Sequence, residues 1–537
     1  MPQVDPERKG IHVRIAPRLS SLLRMSGHLF IINGDLTKVA CDAVLLPTDG
    51  GSKIEPAWQS LVKDRQNEIP KSWGDERVRQ LTARDGEPQV WLGNVGHAGD
   101  TSDFSTFEPT VREFVLRASE ALQSDNKTKR IYEWPKKRLA VNVVGSGRGG
   151  GSRKKGHLIV GLVGTLSTLA KQQNVDIILV TFGTRPYAAA QRARRELIGG
   201  KDLAKTWRFA KKANPDLIQK ARDLANEAIE HQLVLFIGAG VSAGAGLPDW
   251  KGLLAVIAKE AGIDHDVRER LTARDLRDQA TLLDRALERT DARLKDRVAR
   301  NLKEFERYSL AHGLLASLPS KEAVTTNFDN LFELASRLRD RDIAVLPDNP
   351  RSTGGRWLLK LHGGVDAPAK MILTRADYLS MPRQYGALMG LVQGLLLMRR
   401  MVFIGYSLGD EDFHELIDEV RAARGDSAGI GKGIALTLRD DKLDRQLWEN
   451  DLDIVPMTTD SSIAIPKAAR QLELFLDLVG YLSTTSAAFF LDEDYSDLSV
   501  TEVALRDTLR ELATLTAGSG LDSVGHLVEE FLDGLGA

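Results

Sequence analysis

Leu233-Val234-Leu235-Phe236-Ile237-Gly238-Ala239-Gly240-Val241-Ser242 is the stretch that decides the fold. Five apolar residues run without a break into two glycines spaced by alanine, and such a run reads as a strand buried on both faces of a parallel sheet. Glycine at 238 and 240 permits a tight turn and lets the backbone approach a pyrophosphate, which can then sit at a helix N-terminus. Alone, the pattern fits a ligand-free turn equally well.

Three further segments change that balance. Thr325-Thr326-Asn327-Phe328-Asp329, Lys360-Leu361-His362-Gly363 and Gly405-Tyr406-Ser407-Leu408 each follow a short apolar run. In an open parallel sheet ligands bind outside the carboxyl ends of the strands, so these polar segments are expected to converge on one crevice. Asn327 suits the orienting of a hydroxyl or water without added charge, and Asp329 also suits the cap of a helix starting near Leu331. His362 stands at a general-base position; its company sets it apart from His231, His312 and His414, which read as structural. Ser407 is placed to bond a ribose or phosphate oxygen, while Asp410 and Asp412 read as helix caps. Gly246-Leu247-Pro248-Asp249-Trp250 prolongs the first turn into a loop able to cover a nucleotide, with Trp250 equally readable as a hydrophobic anchor.

Working outward, residues 1–200 alternate strand-like runs (Leu29 to Asn33, Ala43 to Leu46, Leu139 to Val144, Ile177 to Phe182) with helical stretches, which predicts an α/β layer. Ser102 to Thr110 and the glycine-rich Gly145 to Gly151 read as loops, and the basic stretch from Pro186 to Ala213 reads as a linker. Residues 250–318 have a charged helical pattern and look like an insertion into a domain spanning 215–465. After Pro466 amphipathic helix returns, with an acidic run at Asp492, Glu493, Asp494 and Asp497.

At 537 residues the chain exceeds one core, and about three domains are expected. The formal net charge of -1 provides no global basic field for nucleic acid. Cys41 is the only cysteine, which excludes an internal disulfide and a cysteine-rich zinc ribbon. Asp5, Glu7, Arg8 and Lys9 interrupt any secretory leader, and no apolar run approaches the roughly 20 residues that span a bilayer. The expectation is a soluble cytoplasmic protein with no membrane partner.

The ordered set Gly-Ala-Gly-x-Ser, Gly-x-Pro-Asp, Thr-Thr-Asn-x-Asp, Leu-His-Gly and Gly-x-Ser resembles the sirtuin family over roughly residues 215–460. It is most similar to bacterial sirtuin-like NAD hydrolases of antiphage defence, which share the Thr-Thr-Asn-Phe/Tyr-Asp and Gly-Tyr-Ser-Leu-x-Asp forms. The zinc ribbon of the protein deacylases cannot be built here, Thr326 replaces their glutamine, and Trp250-Lys251 replaces their phenylalanine-arginine. The resemblance implies a Rossmann-like parallel sheet that takes NAD as substrate and needs no metal. It implies NAD contacts from Gly238, Ala239, Gly240, Ser242, Asp249, Trp250, Gly405 and Ser407. Thr326 and Asp329 would lie beside the nicotinamide ribose, and Asn327 and His362 would be catalytic. The implied reaction breaks the nicotinamide N-glycosidic bond through an oxocarbenium-like state, giving nicotinamide and ADP-ribose.

Asn33-Gly34-Asp35-Leu36-Thr37 followed by Cys41-Asp42-Ala43-Val44-Leu45-Leu46 resembles the opening of a macro domain. Pro47-Thr48-Asp49-Gly50-Gly51 replaces that family's asparagines, and Gly145 to Gly151 with Arg148, Arg153 and Lys154 offers a phosphate loop. The expectation is a sensor for an ADP-ribose-type nucleotide, governing an antiphage abortive-infection effector that depletes NAD. A homo-oligomer and a phage-derived trigger or defence partner are also expected. The alternatives are ADP-ribosyl transfer and a catalytically silent nucleotide sensor that recruits a partner.

Overall fold

The computed structural model describes residues 26–536 apart from 97–102, 125–131, 146–154, 211, 339–341, 352–354, 407, 410–413, 416, 419–420, 422–431, 496 and 517–522. Two sheets organise it. The first holds β1 (Leu29–Asn33), β2 (Ala43–Thr48), β3 (Val78–Gln80), β4 (Gln89–Asn94), β5 (Arg138–Asn142) and β6 (Asp176–Thr181), in the order β1-β6-β5-β2-β4-β3. Its strands pair in parallel except β3, which runs antiparallel to β4.

The second sheet holds β7 (Leu233–Ile237), β8 (Glu322–Thr325), β9 (Ala344–Leu346), β10 (Trp357–Lys360), β11 (Arg400–Ile404), β12 (Gly433–Thr437) and β13 (Leu452–Pro456). It is parallel throughout, in the order β13-β12-β11-β7-β8-β10-β9. After β7 the chain lays down β8, β10 and β9 on one side and then returns to place β11 on the other. The switch point therefore lies between β7 and β11, where an open sheet of this kind leaves its ligand crevice.

Strand alternation ties both sheets to one core. Leu29 and Ile31 of β1 face the helices Phe104–Ser124 and Lys155–Gln173, while Phe30 and Ile32 join Leu233, Leu235 and Ile237 of β7 in a shared cluster. Between the sheets lie the helices Leu217–Ile229, Leu310–Ser317 and Ile465–Ser483, which pack on one another and on β1 and β7. The other face of β7, through Val234 and Phe236, packs on the helix Gly386–Met398. Among the described residues no helix is long and apolar enough to cross a membrane.

Two sequence expectations are corrected. Ser102 to Thr110 is mostly not loop: the helix Phe104–Ser124 starts there, because Phe107, Val111, Phe114, Val115 and Ala118 form a buried stripe at helical spacing. The stretch from Pro186 is not a linker but largely the helix Thr184–Ile198 followed by the helix Leu203–Trp207. Its basic character does not mean solvation, since Arg194 is buried and paired with Asp477. In the acidic run, Lys155 Nζ lies 2.8 Å from Asp494 and 4.0 Å from Asp492. The glycine-rich loop beyond Gly145, with Arg148, Arg153 and Lys154, lies outside the described residues.

Candidate active site at the switch point

The loops leaving β7 and β11 grip each other. Gly238 N–H donates to Ile404 O at 2.9 Å and Gly240 N–H to Gly405 O at 2.8 Å. A Cβ on Gly238 would fall 2.4 Å from Gly405 O, and one on Gly240 would fall 2.9 Å from Gly405 Cα. Gly405 itself has φ +67°, a left-handed conformation that favours glycine. These glycines are thus required first by loop-to-loop packing and only secondarily by a ligand. Gly238→Ala is expected to cost about 1–3 kcal/mol, as overpacking of a close backbone contact does. An unchanged urea midpoint would contradict it.

Beyond this contact opens a cleft of about 710 Å³. Ala239, Gly240, Ser242, Asp249, Trp250, Thr326, Asn327, Asp329, His362 and Gly405 all line it. Gly238 is not among the lining residues, being turned to the Gly405 loop, and Ser407 lies outside the described residues. Asp249 caps the helix Trp250–Glu260 by accepting from Gly252 N–H at 2.7 Å, so this side chain serves the loop's own structure. Trp250 stacks obliquely on Phe328, with ring centroids 5.6 Å apart.

The polar centre is a connected set. Thr325 Oγ1 donates to Ile237 O at 2.7 Å and accepts from Asn327 N–H at 3.0 Å, tying the end of β8 to that of β7. Asn327 Nδ2 donates to Ser242 Oγ at 3.2 Å, and Ser242 Oγ–H donates to Asp329 Oδ2 at 2.9 Å. Asp329 Oδ1 also accepts from Leu331 N–H at 3.0 Å, although the N-cap position of the helix Leu331–Ser336 is held by Asn330. Beneath the turn, the buried Lys360 ammonium donates to Asp329 O at 2.6 Å, Asn330 Oδ1 at 3.0 Å and Glu333 Oε1 at 2.7 Å. A residue at the end of β10 therefore holds the β8 turn that presents Asn327 and Asp329.

His362 sits two residues beyond Lys360, packed edge-on to Tyr378 at 5.4 Å and 6.4 Å from the Phe328 ring. Burial, aided by the Arg277 guanidinium, pulls its imidazole from 6.5 down to about 4. At neutral pH the ring is uncharged and able to take a proton. It stands at a boundary: a second chamber of about 340 Å³ shares Arg277, Thr326, His362 and Tyr406 with the cleft and continues past Tyr378 and Met389.

Sequence reasoning misses two of these groups. Arg277 arrives from the helix Leu276–Glu288 in the charged 250–318 region, where no local pattern marks it. His312 was grouped with the structural histidines, yet its ring reaches Ser242; the legible signal was Ser309 three residues earlier, the spacing of a capping box. Burial brings the His312 imidazole down to about 4, with Asp329 pulling the other way.

The two low histidine values have a stability consequence. The unfolded chain takes up these protons near 6.5 and the folded chain only near 4, so folding stability is lost as pH falls through that window. His312→Gln is expected to remove about 3 kcal/mol of the stability lost between pH 6.5 and 4, from 1.36 kcal/mol per unit. Urea denaturation of both proteins across that range checks it; parallel pH profiles would contradict it.

A family model of the SIR2-like domain matches residues 321–457. Over that stretch the chain is similar to the SIR2-like domain. Similar curated proteins include the NAD(+) hydrolase ThsA of Bacillus cereus (strain MSX-D12), 27% identical over 220 residues, which are 40% of this chain and 44% of that protein. The ThsA of Acinetobacter baumannii (strain 532279) is 27% identical over 37% of this chain and 41% of its own length. Defense-associated sirtuin 2 of Bacillus subtilis is 26% identical over 40% of this chain and 21% of its length. The chain thus spans less than half the length of these relatives. A macrodomain of Oceanobacillus iheyensis with ADP covers 33% of this chain and 95% of its own, at 14% identity and a TM-score of 0.23. The family match begins one residue before β8, so the SIR2-like model covers Asn327, Asp329, His362 and Gly405 but not the Gly238–Ser242 turn. Among the described residues no group of three or more His, Cys, Asp or Glu could hold a metal ion.

Proposed function

We propose that this chain is a regulated NAD hydrolase that cleaves NAD to nicotinamide and ADP-ribose, acting in the cytoplasm as an antiphage effector. The observation that carries the reading is the convergence of Asn327, Asp329 and a neutral His362 on one cleft of about 710 Å³, in a SIR2-like domain whose similar proteins include NAD hydrolases. The leaving of nicotinamide builds positive charge on the ribose, and the Asp329 carboxylate supplies nearby negative charge. Asn327 would hold the ribose or the attacking water. His362 would take the proton of that water as its oxygen bonds to the ribose C1′, so that NAD and water become nicotinamide, ADP-ribose and a proton.

Unrestrained hydrolysis would harm the cell that makes the enzyme, so we assign to the N-terminal α/β unit the sensing of an ADP-ribose-type nucleotide, and to oligomer packing or a phage-derived trigger a share in release. Purified protein incubated with NAD, with and without candidate nucleotides or phage lysate, tests this by nicotinamide release. No release under any condition would overturn it. A second reading, transfer of ADP-ribose to an acceptor, is favoured by the chamber of about 340 Å³ on the far side of His362. Label from NAD retained on protein would select it.

A further inference from the structure

We propose that His312 is a positioning residue that sets the direction of the hydrogen-bond chain through Ser242 to Asn327 and Asp329; its kinetic consequence rests on the NAD-cleavage reading above. The argument follows the protons. His312 is fully buried on the helix Leu310–Ser317, whose N-terminus is capped by Ser309. The backbone N–H of Ser309 donates to His312 Nδ1 at 3.2 Å, and the Ser309 hydroxyl, 2.9 Å from the same nitrogen, can donate to it as well. A backbone N–H can only donate, so Nδ1 is bare and the one proton of the neutral ring sits on Nε2.

His312 Nε2 lies 3.4 Å from Ser242 Oγ, within reach to donate to it. Asn327 Nδ2 donates to the same oxygen at 3.2 Å. With both lone pairs of Ser242 occupied, its single proton is directed to Asp329 Oδ2 at 2.9 Å. Each link is thereby oriented: Asp329 only accepts, as a carboxylate, and Asn327 is held by its nitrogen end, which leaves its amide oxygen for a ligand. Without the His312 donor, Ser242 is free to turn its proton toward Asn327, and the amide loses its reason to keep its nitrogen inward.

The unit is braced from behind. Ser309 Oγ lies 2.9 Å from both Val241 O and His312 Nδ1, so its one proton is shared between the Val241 backbone and the ring, and Ser309 and His312 together flank Val241-Ser242. The preceding residue, Tyr308, is anchored in the N-terminal unit: its N–H donates to Lys38 O at 2.8 Å, its carbonyl accepts from Ala40 N–H at 2.9 Å and its hydroxyl donates to Asp35 O at 3.0 Å. The neutrality of the ring, held by burial, keeps this arrangement through the physiological pH range.

The test uses the full chain with two replacements. His312→Leu keeps bulk without a donor, and His312→Gln returns an N–H near the place of Nε2. Once thermal melting shows both folded, His312→Leu is expected to lower kcat by ~10²-fold, the cost of a misplaced reacting group, with KM little changed. His312→Gln is expected to recover most of that loss. In a Ser242→Ala background His312→Leu is expected to cost nothing more, because its effect passes through Ser242. Equal loss in both variants, or additive loss on Ser242→Ala, would mean that His312 only fills space and would overturn the inference. Nitrogen-15 histidine NMR decides independently of turnover: the His312 signals, identified by their loss in His312→Gln, are expected to report a proton on Nε2 at pH 7. A proton on Nδ1 overturns the inference even in an active enzyme. An Nε2 proton in a protein that releases no nicotinamide upholds the oriented chain and sinks only the proposed reaction.

Discussion

Replacing His362 with alanine is expected to slow nicotinamide release by ~10²–10⁴-fold, the usual contribution of a positioned general base. Asn327→Ala is expected to lose ~10²–10³-fold, the range for one preorganised polar group at a site of developing charge. Both residues line the cleft while their backbones end different strands, so neither loss needs a global change of fold. The pH profile carries its own sign. A base must be unprotonated, and burial with Arg277 holds His362 at about 4. The rate is therefore expected to be flat with respect to His362 from about pH 5 upward and to fall as pH drops through 4. Steady-state assays of nicotinamide by chromatography read all three; a His362→Ala protein within a few-fold of wild type would remove His362 from the chemistry.

Asp477→Leu is expected to destabilise the protein by about 3–5 kcal/mol, because it strips the partner from buried charge. Asp477 is fully buried on the helix Ile465–Ser483. It accepts from Arg194 at 3.0 Å, from Trp207 Nε1 at 2.8 Å and from Ile31 N–H at 3.3 Å, and lies 2.8 Å from His28 Nε2. Burial alone would push this carboxyl up, but Arg194 and His28 together hold it below the usual carboxylate range. Nearby, Arg470 of the same helix pairs with the buried Asp176 at the start of β6. The helix Ile465–Ser483 is thus joined to the first sheet by charge as well as by apolar contact. Equilibrium urea denaturation followed by tryptophan fluorescence measures the loss; a change below about 1 kcal/mol would show that the hub is dispensable.

What could be read in advance was whatever depends on neighbours in the chain. An unbroken apolar run such as Leu233 to Ile237 has only one comfortable place, a strand covered on both faces, and the residues just after it must turn. The positions of Asn327, Asp329, His362 and Gly405 followed from that rule alone. The failures share a different cause. β4 (Gln89–Asn94) is hard to read locally because its apolar run between Gln89 and Asn94 is only Val90-Trp91-Leu92 before Gly93. The helix Thr184–Ile198 looked solvated because arginine is ordinarily exposed, and nothing local reveals that Arg194 has a buried acid waiting 283 residues away.

The sequence by itself determined the strand-and-turn grammar of the site: which residues end strands, which turns need glycine, and which side chains carry polar chemistry. Periodicity and side-chain type are local properties, and they act over a few residues. Only the tertiary structure decided that Gly238 and Gly240 answer to Gly405, that His312 reaches Ser242, that Arg277 lines the cleft from a distant helix, and that Asp477 joins the helix Ile465–Ser483 to β1 and to Arg194. Those pairings depend on how two sheets share one helical layer, and burial in that layer is what turns exposed-looking charges and a structural-looking histidine into partners.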